Sequence, residues 1–218
     1  STPLYSSAAS DVYKRQESDT DGISIFLVDP NTPGVTIRPF TNIDGQKSSE
    51  IDFIDVTITE ASRIGEPGDA FAAMEKVNDK AVLGVSAEAV GVLETLLQKT
   101  VEYSKTRKQF GTVIGTFQAL QHRMADMFIE CQLARSIVVM AAMKLDSSAS
   151  QSEKTKAVSA AKSRVGKAIR RVSQEAVQIH GGIGVTNELD VGHYFKRATA
   201  LEIMFGNTDY HVERFASL

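Results

Sequence analysis

The chain has 218 residues, 42% of them hydrophobic and 23% charged, with a formal net charge of −3. Charges of both signs are interspersed, which excludes a nucleic-acid or anionic-membrane surface built on bulk charge. A single cysteine, Cys131, excludes an internal disulfide framework and fits a reducing compartment. No continuous apolar run approaches the ~20 residues of a membrane span, and no basic-then-apolar leader is visible. A cytoplasmic setting is expected.

Residues 1–16 are small and polar, without a period of two or 3.6, and are expected to form an unstructured or non-native leader. Residues 17–68 read as a partial β-domain of about three strands. Ile23 to Val28 is a short β-branched run stopped by Asp29-Pro30, Gly34 to Arg38 is a second, and Asp52 to Thr59 is a third. Three strands are too few to close a barrel or sandwich.

From residue 69 to 218 the pattern turns helical. The first helix, about Phe71 to Lys105, carries Phe71, Met74, Val77, Ala81, Val85, Ala89, Val92 and Leu96 at spacings of three and four. The second, Thr116 to about Leu145, repeats the pattern with Phe117, Leu120, Met124, Met127, Cys131, Ala134, Val138, Ala141 and Leu145. The third, Ser152 to about His180, aligns Val158, Ala161, Val165, Ala168, Val172, Ala176 and Ile179. A fourth runs from near Asn187 to Phe205, and a short one follows Asn207. Long helices with short joints predict a mainly α protein, an up-and-down four-helix bundle.

Two joints stand out. Arg107-Lys-Gln-Phe-Gly111 lies between the first and second helices, and Gln178-Ile-His-Gly-Gly-Ile-Gly184 ends the third. An arginine beside a glycine turn can satisfy helix carbonyls, or it can hold a diphosphate by charge-assisted hydrogen bonds. A run of glycines can cap a helix, or it can let backbone approach a ligand. Two such joints at one end of a bundle would make a groove for an extended cofactor. The four histidines are scattered, and Cys131 falls on the core stripe as a buried small hydrophobe.

Taken in order, Arg107-Lys-Gln-Phe-Gly111, Phe117-Gln118, Met124-Ala-Asp-Met127, Ala134-Arg135, Gln178-Ile-His-Gly-Gly182 and Tyr194-Phe-Lys-Arg197 resemble successive signatures of the flavin-dependent acyl-CoA dehydrogenases. The likeness runs from Asp21 to Ala216: the helical part is similar to that family's C-terminal bundle, and Asp21 to Gly68 to the last strands of its middle β-domain. By that resemblance the chain is a C-terminal part lacking the N-terminal helical domain. The resemblance implies FAD as cofactor and α,β-dehydrogenation of an acyl-CoA thioester, with electrons passing to an acceptor flavoprotein. It implies that Arg107 reaches the FAD diphosphate of a neighbouring subunit, that Phe110 and Gln118 touch the adenosine part, that Gln178, Gly181 and Gly182 form the dinucleotide-binding turn, and that Thr208 lies at the flavin.

One departure bears on catalysis. The family's carboxylate base sits in a Glu-Gly-Thr turn or, in some members, on the first bundle helix; the matching positions here are Gly206 and about Ala81. The nearest carboxylates are Asp209, which as a catalytic group would be displaced along the turn and otherwise reads as the cap of the last helix, and Asp79, which reads as a solvated helix residue. Two functions follow: an acyl-CoA dehydrogenase chain in a homo- or hetero-oligomer, or a catalytically silent helical subunit that supports assembly and flavin binding of an active partner. The pattern resembles the base-less small subunits of two-subunit members, pimeloyl-CoA dehydrogenase among them.

Overall fold

A computed structural model describes residues 22–218; the expected leader at 1–16 lies outside the described residues. The chain divides into two compact units between Val77 and Asn78, inside the first long helix and past the 68/69 boundary drawn from the sequence.

The first unit carries short antiparallel pairs. β1 (Ile25–Phe26) is followed by β2 (Val35–Thr41), β3 (Lys47–Phe53) and β4 (Arg63–Ile64). β1 pairs with β4, and β2 with β3 from Val35 opposite Phe53 to Thr41 opposite Lys47. The third strand therefore stands at Lys47–Phe53 and not at Asp52 to Thr59. Its ladder ends where Asp55 takes a φ of 50° and turns the chain away. The first four residues that pair, Lys47 to Glu50, are polar and the hairpin is largely exposed, so hydrophobic alternation could not reveal where the strand begins. β4 went unmarked for a similar reason, being two residues long.

The helical part follows as α1 (Phe71–Thr106), a small hairpin of β5 (Lys108–Gln109) and β6 (Thr112–Val113), α2 (Gln118–Asp146), α3 (Gln151–His180), α4 (Val191–Ile203) and α5 (Thr208–Ser217). The chain is mainly helical, as the periodicity predicts. α3 is the central helix, packed against α2, α4 and α5. All seven residues of its expected stripe are buried. Its start is fixed by a capping box: the Ser150 hydroxyl accepts from the Glu153 N–H while the Glu153 carboxylate accepts from the Ser150 N–H. The α2 stripe is likewise buried at Met127, Cys131, Ala134, Val138 and Ala141, which makes Cys131 the core residue its position predicts.

The α1 stripe is broader than the expected one. Ala89, Val92 and Leu96 are buried as expected, but Asp79, Val82, Ser86, Leu93, Thr100 and Ser104 also face the core, while Val77 is exposed. Polar letters hid this line. Ser86 and Thr100 donate to the carbonyls of Val82 and Leu96 at 2.7 and 2.6 Å, so each hydroxyl is satisfied within its own helix. By length and composition alone α1 could cross a membrane, a property that its interrupted apolar spacing conceals from a search for continuous runs. Here its Val82, Leu93 and Leu96 are fully buried in the core.

Candidate functional site

The two joints meet at one end of the bundle. Near the end of α1, the Tyr103 ring stacks on His180, the last residue of α3, with centroids 4.4 Å apart. The Tyr103 hydroxyl donates to the His180 carbonyl at 3.4 Å. Four residues earlier, Lys99 pairs with Asp190 of the α3–α4 joint at 2.9 Å. These contacts bring Arg107, Phe110 and Gln118 to the same end as Gln178, Gly181 and Gly182, and all six are exposed.

The first joint is a hairpin and not a plain turn. Lys108 pairs with Val113 and Gln109 with Thr112, leaving a two-residue loop of Phe110 and Gly111. Both loop residues have positive φ, 55° and 82°, as the tight hairpin loop whose twist matches its strands requires. Glycine accepts that backbone freely; phenylalanine is held there against its preference. The strained backbone carries a side chain 93% exposed, touched edge-on by Phe117 at 6.1 Å. Among the described residues the Arg107 side chain has no ion-pair partner. At the second joint Gly181 has a φ of 66° and its N–H returns to the carbonyls of Gln178 and Val177. A Cβ at Gly181 or Gly182 would meet nothing within 4 Å, so this backbone faces open space.

Thr208 is placed elsewhere. It is buried at the start of α5, where a Cβ on Gly166 would lie 2.2 Å from its hydroxyl oxygen. Gly166 is fourteen positions before His180 on α3, about 21 Å along the helix. The Thr208 hydroxyl donates to Glu202 at 3.0 Å, and its N–H to the same oxygen at 3.3 Å. Lys162 holds the segment from below, donating to the carbonyls of Leu201 and Glu202 at 2.6 and 2.9 Å. Burial pushes the Lys162 amine down to about 8. Neither Lys162 nor Glu202 had been singled out from sequence; a charged letter inside the α3 apolar stripe was the available signal.

The turn at Phe205 and Gly206 contains no carboxylate, and position 206 has no room for one. Both residues have positive φ, 57° and 100°, and a Cβ at Gly206 would lie 2.3 Å from the Tyr210 ring. Asp209 is not the cap of α5. Asn207 is, accepting the Tyr210 N–H at 2.9 Å, and Asp209 sits exposed in the first turn. Asp79 is not solvated: its side chain is 2% exposed. Arg214 donates to one carboxylate oxygen at 2.8 Å, and Thr155 and Gln151 donate to the other at 2.7 and 3.0 Å. A carboxylate engaged by three donors is a structural anchor and is not free to take a proton from a substrate. His211, fully buried, bridges the Ser159 hydroxyl at 3.4 Å and the Phe205 carbonyl at 3.0 Å.

The sequence profile of the acyl-CoA dehydrogenase C-terminal domain matches residues 71–217. The chain belongs to the acyl-CoA dehydrogenase family. It is 34% identical over 190 residues to a probable acyl-CoA dehydrogenase, YngJ, of Bacillus subtilis, covering 86% of this chain and 49% of that one. The butyryl-CoA dehydrogenase of Megasphaera elsdenii superposes with a TM-score of 0.85 at 30% identity, over 94% of this chain and 53% of the other. A chain of the ChsE4–ChsE5 complex of Mycobacterium tuberculosis superposes with a TM-score of 0.80 at 28% identity, over 89% and 51%. The chain thus spans about half the length of the acyl-CoA dehydrogenases it matches.

Proposed function

We propose that this chain supplies the helical, cofactor-holding part of an FAD-dependent acyl-CoA dehydrogenase assembly, and that the carboxylate base for its reaction comes from another subunit. The observation that carries this reading is the Phe205–Gly206 turn, where Tyr210 fills the space a side chain at 206 would need. Ala81, the other family position, also lacks a carboxylate, and Asp79 is committed to Arg214. The joint end of the bundle fits the cofactor. Arg107 offers a guanidinium without an ion-pair partner among the described residues, suited to a diphosphate, Phe110 an exposed ring for stacking, and Gly181 and Gly182 a backbone that no described residue covers. FAD, when bound, accepts the hydride from Cβ of the acyl-CoA thioester. The Cα proton then requires a base within hydrogen-bond reach, worth typically ~10²–10⁴-fold. The ChsE4–ChsE5 likeness supports a two-chain arrangement, and an electron-accepting flavoprotein is part of the same proposal.

The test is exchange of the Cα proton of an acyl-CoA into heavy water, with FAD present, by this chain alone and by the chain co-expressed with a candidate partner. Exchange is expected only with the partner and unchanged by Asp209→Asn. Exchange by the chain alone, abolished by Asp209→Asn with folding intact, would make Asp209 the base and this chain the catalyst. A separate measurement addresses the cofactor. Arg107→Ala should loosen FAD in the assembled protein by roughly 10- to 100-fold, the scale of a hydrogen bond to a charged group. The melting temperature of the FAD-free protein should stay unchanged, because Arg107 is exposed. Unaltered flavin content in the variant would remove Arg107 from the site.

A further inference from the structure

Lys99 and Tyr103 lie one turn apart on the same face of α1, and each takes hold of one end of the α3–α4 joint. Tyr103 is half-buried, and its ring stacks on the buried imidazole of His180, where the joint begins. Lys99 reaches the other end, pairing with Asp190 and lying 5.9 Å from the centre of the Tyr194 ring. The imidazole is fixed from its own helix as well. Its Nδ1 lies 2.8 Å from the Ala176 carbonyl, which can only accept, so Nδ1 carries the hydrogen. Gly184 packs against the same side chain: a Cβ there would lie 2.9 Å from the His180 Cβ and 2.9 Å from the Val177 carbonyl oxygen. The Gly181–Val185 turn is thereby folded down onto the last turn of α3.

The ring of Tyr103 serves this second joint, and its main chain serves the first. The Tyr103 carbonyl accepts the Arg107 N–H at 2.9 Å, and the Arg107 carbonyl accepts the Ile114 N–H at 2.8 Å. Gly115, just past the hairpin, comes so close to the end of α1 that a Cβ would lie 2.9 Å from the Ser104 carbonyl oxygen. One residue therefore links the hairpin that carries Arg107 and Phe110 to the turn that carries Gly181 and Gly182. An extended ligand gripped at both joints gains from both only when their separation is already set, since ordering two loose segments on binding costs affinity. The stack is a minor part of a bundle whose core holds Leu93, Leu96, Met127, Val158, Val165 and Val172, so its removal leaves the helices folded.

We infer that Tyr103 and His180 are positioning residues for the flavin, their stack fixing the distance between the Arg107 hairpin and the glycine turn. The inference rests on the cofactor reading proposed above and adds to it two residues that act through the joints.

The test is a double-mutant cycle in the assembled protein, read as the FAD dissociation constant. Tyr103→Leu should weaken FAD by roughly 10-fold, the scale of ordering one or two segments on binding. Tyr103→Phe keeps the ring, loses only a hydroxyl bonded at 3.4 Å, and should bind as the parent does. Coupled residues share a loss, so Arg107→Ala should cost roughly 10-fold less in the Tyr103→Leu background than in the parent. In the full 218-residue chain without flavin, Tyr103→Leu should speed hydrogen exchange at the Gly181 and Ile114 amides while the middle of α3 stays protected. Strictly additive losses, unchanged FAD affinity in Tyr103→Leu, an equal loss in Tyr103→Phe, or faster exchange throughout the bundle would each overturn the inference. The two readings fail separately. Were Arg107→Ala alone to leave FAD untouched, both would fall; an Arg107 effect uncoupled from Tyr103 removes only the positioning role.

Discussion

Arg214→Met is expected to cost the helical unit about 3–5 kcal/mol of unfolding stability. The reason is the partner left behind. Asp79 is buried between α1, α3 and α5, and Arg214 supplies the compensating charge at 2.8 Å. Thr155 and Gln151 would remain as neutral donors, which cannot replace a cation in a low-dielectric interior. Because the pair's net contribution is small once desolvation is counted, Asp79→Leu combined with Arg214→Met should recover most of the loss. Urea unfolding followed by circular dichroism measures both. A single-variant loss under ~1 kcal/mol would mean that water reaches the Asp79 carboxylate when Arg214 is removed.

Acidification should weaken the fold through His211. Burial is the main cause that pushes its imidazole down to about 4, with Lys162 and Arg214 pressing the same way and the Phe205 carbonyl and Asp79 opposing them. Between that value and the ordinary ~6.5, the unfolded chain binds a proton that the folded chain refuses. Stability therefore falls as pH drops from about 6.5 to about 4, by on the order of 3 kcal/mol at ~1.4 kcal/mol per unit. Lys162 has the same sign in another window. Its folded value is also depressed, to about 8, so its contribution improves as pH rises from there toward ~10.5 and is flat near neutrality. The check is unfolding free energy against pH for the parent and for His211→Phe. The variant should show a shallower slope below pH ~6.5; equal slopes would place the acid sensitivity elsewhere.

The legible parts of this molecule are those where apolar letters face the core without exception. α3 reads correctly from its stripe, and Ser150 and Glu153 mark its start. α1 reads as a helix whose expected stripe holds at Ala89, Val92 and Leu96, but the line through Ser86 and Thr100 is missed because these bury hydroxyls that their own helix satisfies. Asp79 looks like a surface residue for want of a visible partner, since Arg214 lies 135 positions away. At the candidate site, the residue types at both joints were readable, and their meeting at one end was anticipated from topology. The hairpin at Lys108–Val113 was not, since each strand has only two residues. In sequence Asn207 and Asp209 both suit the N-cap of α5, and only backbone geometry decides for Asn207.

The Phe110 loop sets this chain's durability against the cofactor role proposed for it. A bulky residue locked at a φ of 55° costs about 1–2 kcal/mol relative to glycine, and its ring, open to solvent, recovers little of that by packing. A laboratory selection that rewarded heat resistance alone would discard Phe110 early, replacing it with glycine or asparagine. Survivors of such a selection would be sturdier folds with a blunted edge at the joint. On the proposed cofactor role of Phe110, a selection that also demanded flavin retention would keep the phenylalanine and find its stability elsewhere in the bundle.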